Sequence, residues 1–236
     1  MNFLLVLILL ISISYYGATC HTGSNMSEVH QKMINETLGN RRYFLKSSFY
    51  YGDFYGNSDV CLLSPRRFSD TIYLEDIDGK PIVSGKEKGI VPFNTEVKVE
   101  KIEFPLATRP LLTPRFYPWV YVTVDRPLGY KACIVVIKPD VAKPEDFKKL
   151  FDEIFSENSF ESYLKSVSSD VRDAIYEKKF KEDLSEEEIR IIFGKPDSVT
   201  FYREGDINIK ALNYPSFKII LKNGKSYKLE EVGNKR

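Results

Sequence analysis

Leu184-Ser185-Glu186-Glu187-Glu188-Ile189-Arg190-Ile191-Ile192-Phe193-Gly194-Lys195-Pro196 specifies a helix from both ends. Ser185 and Glu188 have capping-box spacing, in which the hydroxyl accepts from the backbone and the carboxylate reaches back to the cap. The glutamates meet the positive end of the helix dipole. Ile189, Ile192 and Phe193 give an apolar face, Gly194 supplies a left-handed stop, and Pro196 prevents continuation. Residues 199–202, 207–212 and 217–221 then read as strands, and Asn223-Gly224 is a two-residue hairpin turn before 226–232. Residues 184–236 are thus expected to form a helix followed by an antiparallel meander of three or four strands.

Upstream, over 141–183, the period is also helical. Pro144 suits a first helical position, Glu145 and Asp146 favour the helix start, and Phe147, Leu150, Phe151, Ile154 and Phe155 share a stripe. Phe160, Tyr163, Leu164, Val167, Val171, Ala174 and Ile175 give a second helix, with Ser168-Ser169-Asp170 as its point of interruption. Lys178, Lys179 and Lys181 complement the dipole at its end. These stripes are expected to face the core, with a groove for a partner helix as the alternative.

Residues 47–140 read as strands. The run Phe49-Tyr50-Tyr51-Gly52-Asp53-Phe54-Tyr55-Gly56-Asn57 is a turn-rich hairpin with ordinary ring packing, preferred over a stacking surface for sugars or bases. Thr71-Ile72-Tyr73-Leu74 is β-branched and aromatic, and Asp78-Gly79 is a hairpin signal. From Thr95 to Glu103 the alternation of Val97, Val99 and Ile102 with Lys98, Glu100 and Lys101 predicts a half-buried strand. A proline-punctuated loop with Arg109 and Arg115 leads to Tyr117-Pro118 and a strand at 119–124. Residues 130–137 give another strand, nearly all apolar. Before 47, residues 20–46 read as a polar tether and a short helix from about Ser27 to Leu38, with Val29, Met33 and Ile34 on one face and Gly39 as its stop.

Two segments resemble known families. Val91-Pro92-Phe93-Asn94-Thr95-Glu96-Val97-Lys98-Val99, a loop, and Trp119-Val120-Tyr121-Val122 resemble the bacterial Src-homology-3-like barrel, with Asn94 where that family usually has Gly. The resemblance implies a small antiparallel β-barrel that binds peptide or glycan or has no ligand. Arg109, Arg115, Tyr117 and Trp119 would be its exposed contacts. The plainer alternative, Trp119 in the core and the arginines solvated, is preferred. The C-terminal stretch, through Leu184-Ser185-Glu186-Glu187-Glu188-Ile189, Phe193-Gly194-Lys195-Pro196, Tyr202 and Phe217 to Asn223-Gly224-Lys225, resembles the helix-plus-meander module of outer-membrane assembly lipoproteins of the BamE/SmpA type. It implies a membrane-tethered envelope interaction module. The fold class expected is therefore α+β: a small barrel, amphipathic helices, then the helix and meander.

The N-terminus bears on location. Residues 3–16 are a largely apolar run, short for a membrane span and of signal-peptide length, closed by Gly17-Ala18-Thr19. Residues 1–19 are expected to be a signal peptide. Gly17-Ala18-Thr19-Cys20 resembles a lipobox, which implies lipid attachment at Cys20; simple cleavage and an uncleaved anchor are the alternatives. Acyl chains at about 0.8 kcal/mol per buried methylene would then hold the protein on a membrane.

Cys61 and Cys133 remain. In an oxidising envelope such a pair can bridge. Cys133 lies in the apolar run Ala132-Cys133-Ile134-Val135-Val136-Ile137, where a free thiol behaves as a small hydrophobe, and that reading is slightly preferred. No metal site is expected: no Cys-x-x-Cys occurs, and the only histidines are His21 and His30. The 236 residues carry a net charge of +1, with 43% hydrophobic and 28% charged residues, which suits a globular protein and gives no nucleic-acid signal. No nucleophile elbow, phosphate loop or metal motif is found, so neither enzyme nor cofactor is expected. Glu186, Glu187, Glu188, Glu230 and Glu231 fit a helix start and strand ends. The leading expectation is a non-enzymatic envelope lipoprotein facing the periplasm or exterior, held by an N-terminal lipid and contacting envelope proteins or cell-wall glycan. The alternatives are a soluble secreted glycan- or peptide-binding protein and an envelope hydrolase with dispersed carboxylates.

Overall fold

In the computed structural model, residues 24–54, 57–70, 74–75, 81–82, 85–105, 117–126 and 128–232 are described. The leader, Cys20, Asp78-Gly79, Arg109 and Arg115 lie outside them. The first helix, α1 (Glu28–Leu38), begins where the Ser27 hydroxyl accepts from the His30 amide. Only part of the expected stripe faces inward. Ile34 and Leu38 are buried, while Val29 and Met33 are exposed. Asn35 decides this rotation: its side chain exchanges two 2.8 Å hydrogen bonds with the Ile102 backbone.

Strands β1 (Arg41–Leu45), β2 (Phe49–Phe54) and β3 (Asn57–Ser64) follow, then the short pair β4 (Leu74–Glu75) and β5 (Pro81–Ile82). Next come β6 (Glu87–Val91), β7 (Glu96–Glu103), β8 (Trp119–Val124) and β9 (Ala132–Val136). After α2 (Pro144–Ile154), the short β10 (Phe155–Ser156) completes an eight-stranded sheet of order β10-β1-β7-β8-β9-β3-β2-β6. All its pairings are antiparallel except that of β3 with β9. The alternation expected around β7 is present, with Val97, Val99 and Ile102 buried. Asn94, in the kink between β6 and β7, takes the left-handed conformation with φ 62°. Its amide donates to Leu45 O and its side-chain oxygen accepts from the Phe160 amide, so the turn residue also fixes the start of the helix at Glu161–Ser166.

Two expectations for residues 20–46 need correction. Strand β1 lies inside that span and pairs with β7. Ser24 and Asn25, read as tether, are docked: Ser24 Oγ donates to Asp140 Oδ1 at 2.9 Å, and the Asn25 amide donates to Asp140 Oδ2 at 2.6 Å. One short acidic side chain captures them, which no periodicity announces.

The second amphipathic helix is two helices, α3 (Glu161–Ser166) and α4 (Ser169–Glu177), with Ser168 capping the latter. Helix α5 (Glu186–Phe193) carries the full capping box, and Gly194 ends it with φ 81°. Strands β11 (Ser198–Glu204), β12 (Ile207–Asn213), β13 (Phe217–Lys222) and β14 (Lys225–Glu231) form the meander, in chain order. Asn223 and Gly224 at φ 50° and 81° make its last turn. The architecture is mixed α+β, with five α-helices among the described residues and two main sheets, both rich in antiparallel pairs.

Four apolar clusters hold these elements, the smallest being Ile209, Ala211 and Ile220 in the meander. The largest lies between one face of the eight-stranded sheet, α1 and α2, and contains Tyr43, Phe147, Phe151 and Phe155. A second joins α3, α4, α5 and the meander through Ile175, Ile189, Ile192, Leu212 and Ile219. A third gathers Phe54, Leu62, Phe68, Ile134 and Val136 with Trp119.

The preference for free thiols is also corrected. Cys61 and Cys133 are opposite each other in the parallel register of β3 and β9, 4.4 Å apart at Cα, and are disulfide-bonded. Both are buried, as a strand location implied, but register decides pairing and register is a tertiary fact. The bridge spans a sequence separation of 72, so chain-entropy arguments give it about 4 kcal/mol. A Cys61→Ala/Cys133→Ala variant is therefore expected to lose about 4 kcal/mol of unfolding free energy in urea titrations. An unchanged midpoint would show that the bridge contributes nothing to the fold.

Candidate functional site

The eight-stranded sheet and the C-terminal module meet at Ser48, which is completely buried. Its amide donates to Ile191 O at 2.9 Å. Its hydroxyl donates to Ile175 O at 2.7 Å and accepts from the Phe93 amide at 3.1 Å. Its carbonyl accepts from Lys178 Nζ at 2.7 Å, and the same amine donates to Ile192 O. A single serine thus bonds α4, α5 and the turn after β6.

Lys178 is the one buried basic residue among the described residues, at 5% exposure. It caps α4 in the left-handed conformation, with φ 53°. Its amine stands 5.1 Å from the Tyr50 ring centroid and 5.7 Å from that of Phe193. Burial drives its pKa well below the ordinary lysine value, because charge is disfavoured away from water. The neutral amine still has two N–H donors for the two carbonyls. By sequence alone, Lys178 groups with Lys179 and Lys181 as cations complementing the dipole at the helix end. Lys179 and Lys181 do pair with Glu177 and Asp170, but Lys178 continues inward. Val171, Ala174, Ile175 and position 178 fall on one helical stripe, so a signal existed.

Beside this seam opens a cleft of about 800 Å³. Phe49, Val135 and Val136 line it from the sheet, Leu150 and Ile154 from α2, Phe160 and Tyr163 from α3, and Ile191 from α5. Several charged residues at the cleft are ion-paired: Arg66 to Asp197, Lys195 to Glu153 at 2.6 Å, and Arg190 to Glu186 of the same helix at 2.8 Å. The Tyr163 hydroxyl is shielded from solvent and has no hydrogen-bond partner among the described residues. Burial, then Glu188 and Glu187, push its pKa up to about 12, so it is a proton donor at physiological pH. The apolar walls suit a ligand that is itself largely apolar.

The sequence-predicted contacts lie elsewhere. Trp119 packs edge-on against Phe54 at 4.9 Å, in the third cluster, with Tyr117 beside it. Lys138 Nζ stands 4.6 Å over the Tyr117 ring. The structure brings Tyr117 and Trp119 together and describes neither Arg109 nor Arg115. The carboxylates considered for hydrolysis have other partners: Glu188 closes the capping box, Glu186 binds Arg190 and Lys210, and Glu230 binds Lys218 and Lys228. No group able to hold a metal ion occurs among the described residues.

No family model, curated protein or solved structure matches the chain. The site is therefore read from its own chemistry. An unsatisfied buried hydroxyl costs about 1–3 kcal/mol. Tyr163→Phe is accordingly expected to raise stability by about 1 kcal/mol in urea denaturation. A loss of that size would show that the hydroxyl is already partnered in the free protein.

Proposed function

We propose that this chain is an exported lipoprotein of the cell envelope, tethered through Cys20, that works as a non-enzymatic binding module. The observation that carries the location is the disulfide between Cys61 and Cys133 at the centre of the large sheet, since such bridges persist in oxidising compartments. The apolar run at 3–16 and the Gly17-Ala18-Thr19-Cys20 stretch support the same reading from the sequence.

Binding is assigned to the cleft, because it combines apolar walls with a charged rim. Envelope proteins and cell-wall glycan, reached by a protein held near the membrane, are the partner classes. In this reading the eight-stranded sheet is the small Src-homology-3-like barrel. Its support is that β1 pairs with β7 and β2 with β6, while only short kinks separate β1 from β2 and β6 from β7. A sheet in which both members of two such pairs run on into each other is bent back on itself. The helix and meander from 184 onward would be the second interaction module.

Mass spectrometry of the mature N-terminus tests the location. An acylated N-terminal Cys20 is expected, with a Cys20→Ala variant lost from the membrane fraction. An intact Met1, or a cleaved wild-type protein without acyl mass, would contradict the proposal.

A further inference from the structure

We propose that the tethered protein lies on the bilayer through the outer face of α1, with Val29 and Met33 entering the lipid interface. The inference rests on acylation of Cys20. From Cys20 to Ser24 the chain advances four residues, and an extended chain covers at most about 3.6 Å per residue. The two Cα atoms therefore stand within about 14 Å of each other.

Ser24 is fixed to the folded domain. Its amide donates to Pro105 O at 2.8 Å, and its hydroxyl and the Asn25 amide both donate to the Asp140 carboxylate. Met26 is buried in the main core, and the Gln31 side chain donates to its carbonyl at 2.8 Å. A thioether-linked lipid at Cys20 thus has a short leash, not a long tether. The interfacial layer of one leaflet is about 5–7 Å thick, so the Ser24 end of the domain is drawn to the membrane surface.

Helix α1 starts four residues beyond that point. Its rotation is set by the two Asn35 bonds to Ile102, so Val29 and Met33, one turn apart, face outward on one side. They are 77% and 43% exposed. Among the described residues, every other exposed large apolar side chain lies from Tyr176 onward, in α4 or the meander region. Two apolar side chains on one helix face beside a lipid anchor match the interfacial mode of membrane contact.

The acylated protein is reconstituted into phosphatidylcholine–phosphatidylglycerol vesicles containing brominated acyl chains, which quench tryptophan by contact. Val29→Trp and Met33→Trp variants are compared with Phe201→Trp in the meander, after subtracting the signal of Trp119. Quenching of both α1 tryptophans at least threefold beyond that of the meander variant is expected. Equal quenching at the three positions, in protein whose Cys20 acylation is verified by mass, would overturn the orientation alone. Absence of the acyl group from membrane-derived protein would overturn the anchor and the orientation with it.

Discussion

The amine of Lys178 closes the joint on which the arrangement of the two halves depends. It reaches from the end of α4 to two carbonyls, that of Ser48 just before β2 and that of Ile192 on α5. Buried carbonyls left unpaired are costly, and a buried charge is costlier. Burial lowers the pKa of this amine and so favours its neutral form, which remains a double donor and requires no counter-ion. Ser48 reciprocates with its hydroxyl on Ile175 O, so α4 is gripped from both directions. The polar joint is enclosed by Tyr50, Phe193 and Tyr214, and the hollow beside it has room for about one water molecule, roughly 10 Å³.

The cleft follows from that joint. With the sheet and C-terminal module fastened at Ser48, α2 and α3 bridge the remaining distance and leave an apolar hollow between them. Phe93 also lines it, its ring centroid 4.9 Å from that of Phe160 in a tilted pair and 5.9 Å from that of Tyr163 in an edge-on one. Tyr163 is then the side chain whose packing is settled but whose hydroxyl is not. Stability forgone at a buried polar atom is a familiar cost of a binding surface. The disulfide strengthens the sheet itself, where the parallel pairing of β3 with β9 joins segments far apart in sequence.

Features encoded by neighbours in sequence were legible. The capping box of Ser185 and Glu188, the stop at Gly194, the turn at Asn223-Gly224 and the alternation through Val97 and Val99 all depend on local spacing, and each is present. What was missed depends on partners distant in the chain. Val29 and Met33 shared a plausible stripe with Ile34, and only the Asn35 bonds to Ile102 choose which side is buried. Ser24 and Asn25 look like tether until Asp140 is brought beside them. Cys61 and Cys133 needed the register of two strands separated by most of the sheet's sequence. Lys178 was misread because a lysine at a helix end is usually solvated, although its position continued the apolar stripe. The cleft was not legible at all, since its walls come from at least five separate segments. Tyr163 had been read only as one more residue of a core stripe.

The central claim is that a buried amine, whose pKa burial lowers, fastens the two halves, and its titration is the direct test. In the unfolded chain Lys178 holds its proton up to about pH 10.4, whereas in the fold it releases it at lower pH. Between those two values the unfolded state binds more protons, so stability contributed by this group rises with pH. Urea denaturation of wild type and Lys178→Met should be compared from pH 6 to 10. The wild type is expected to gain stability relative to the variant as pH rises, with a limiting slope of about 1.4 kcal/mol per pH unit inside the window. Parallel pH profiles for the two proteins would contradict the account.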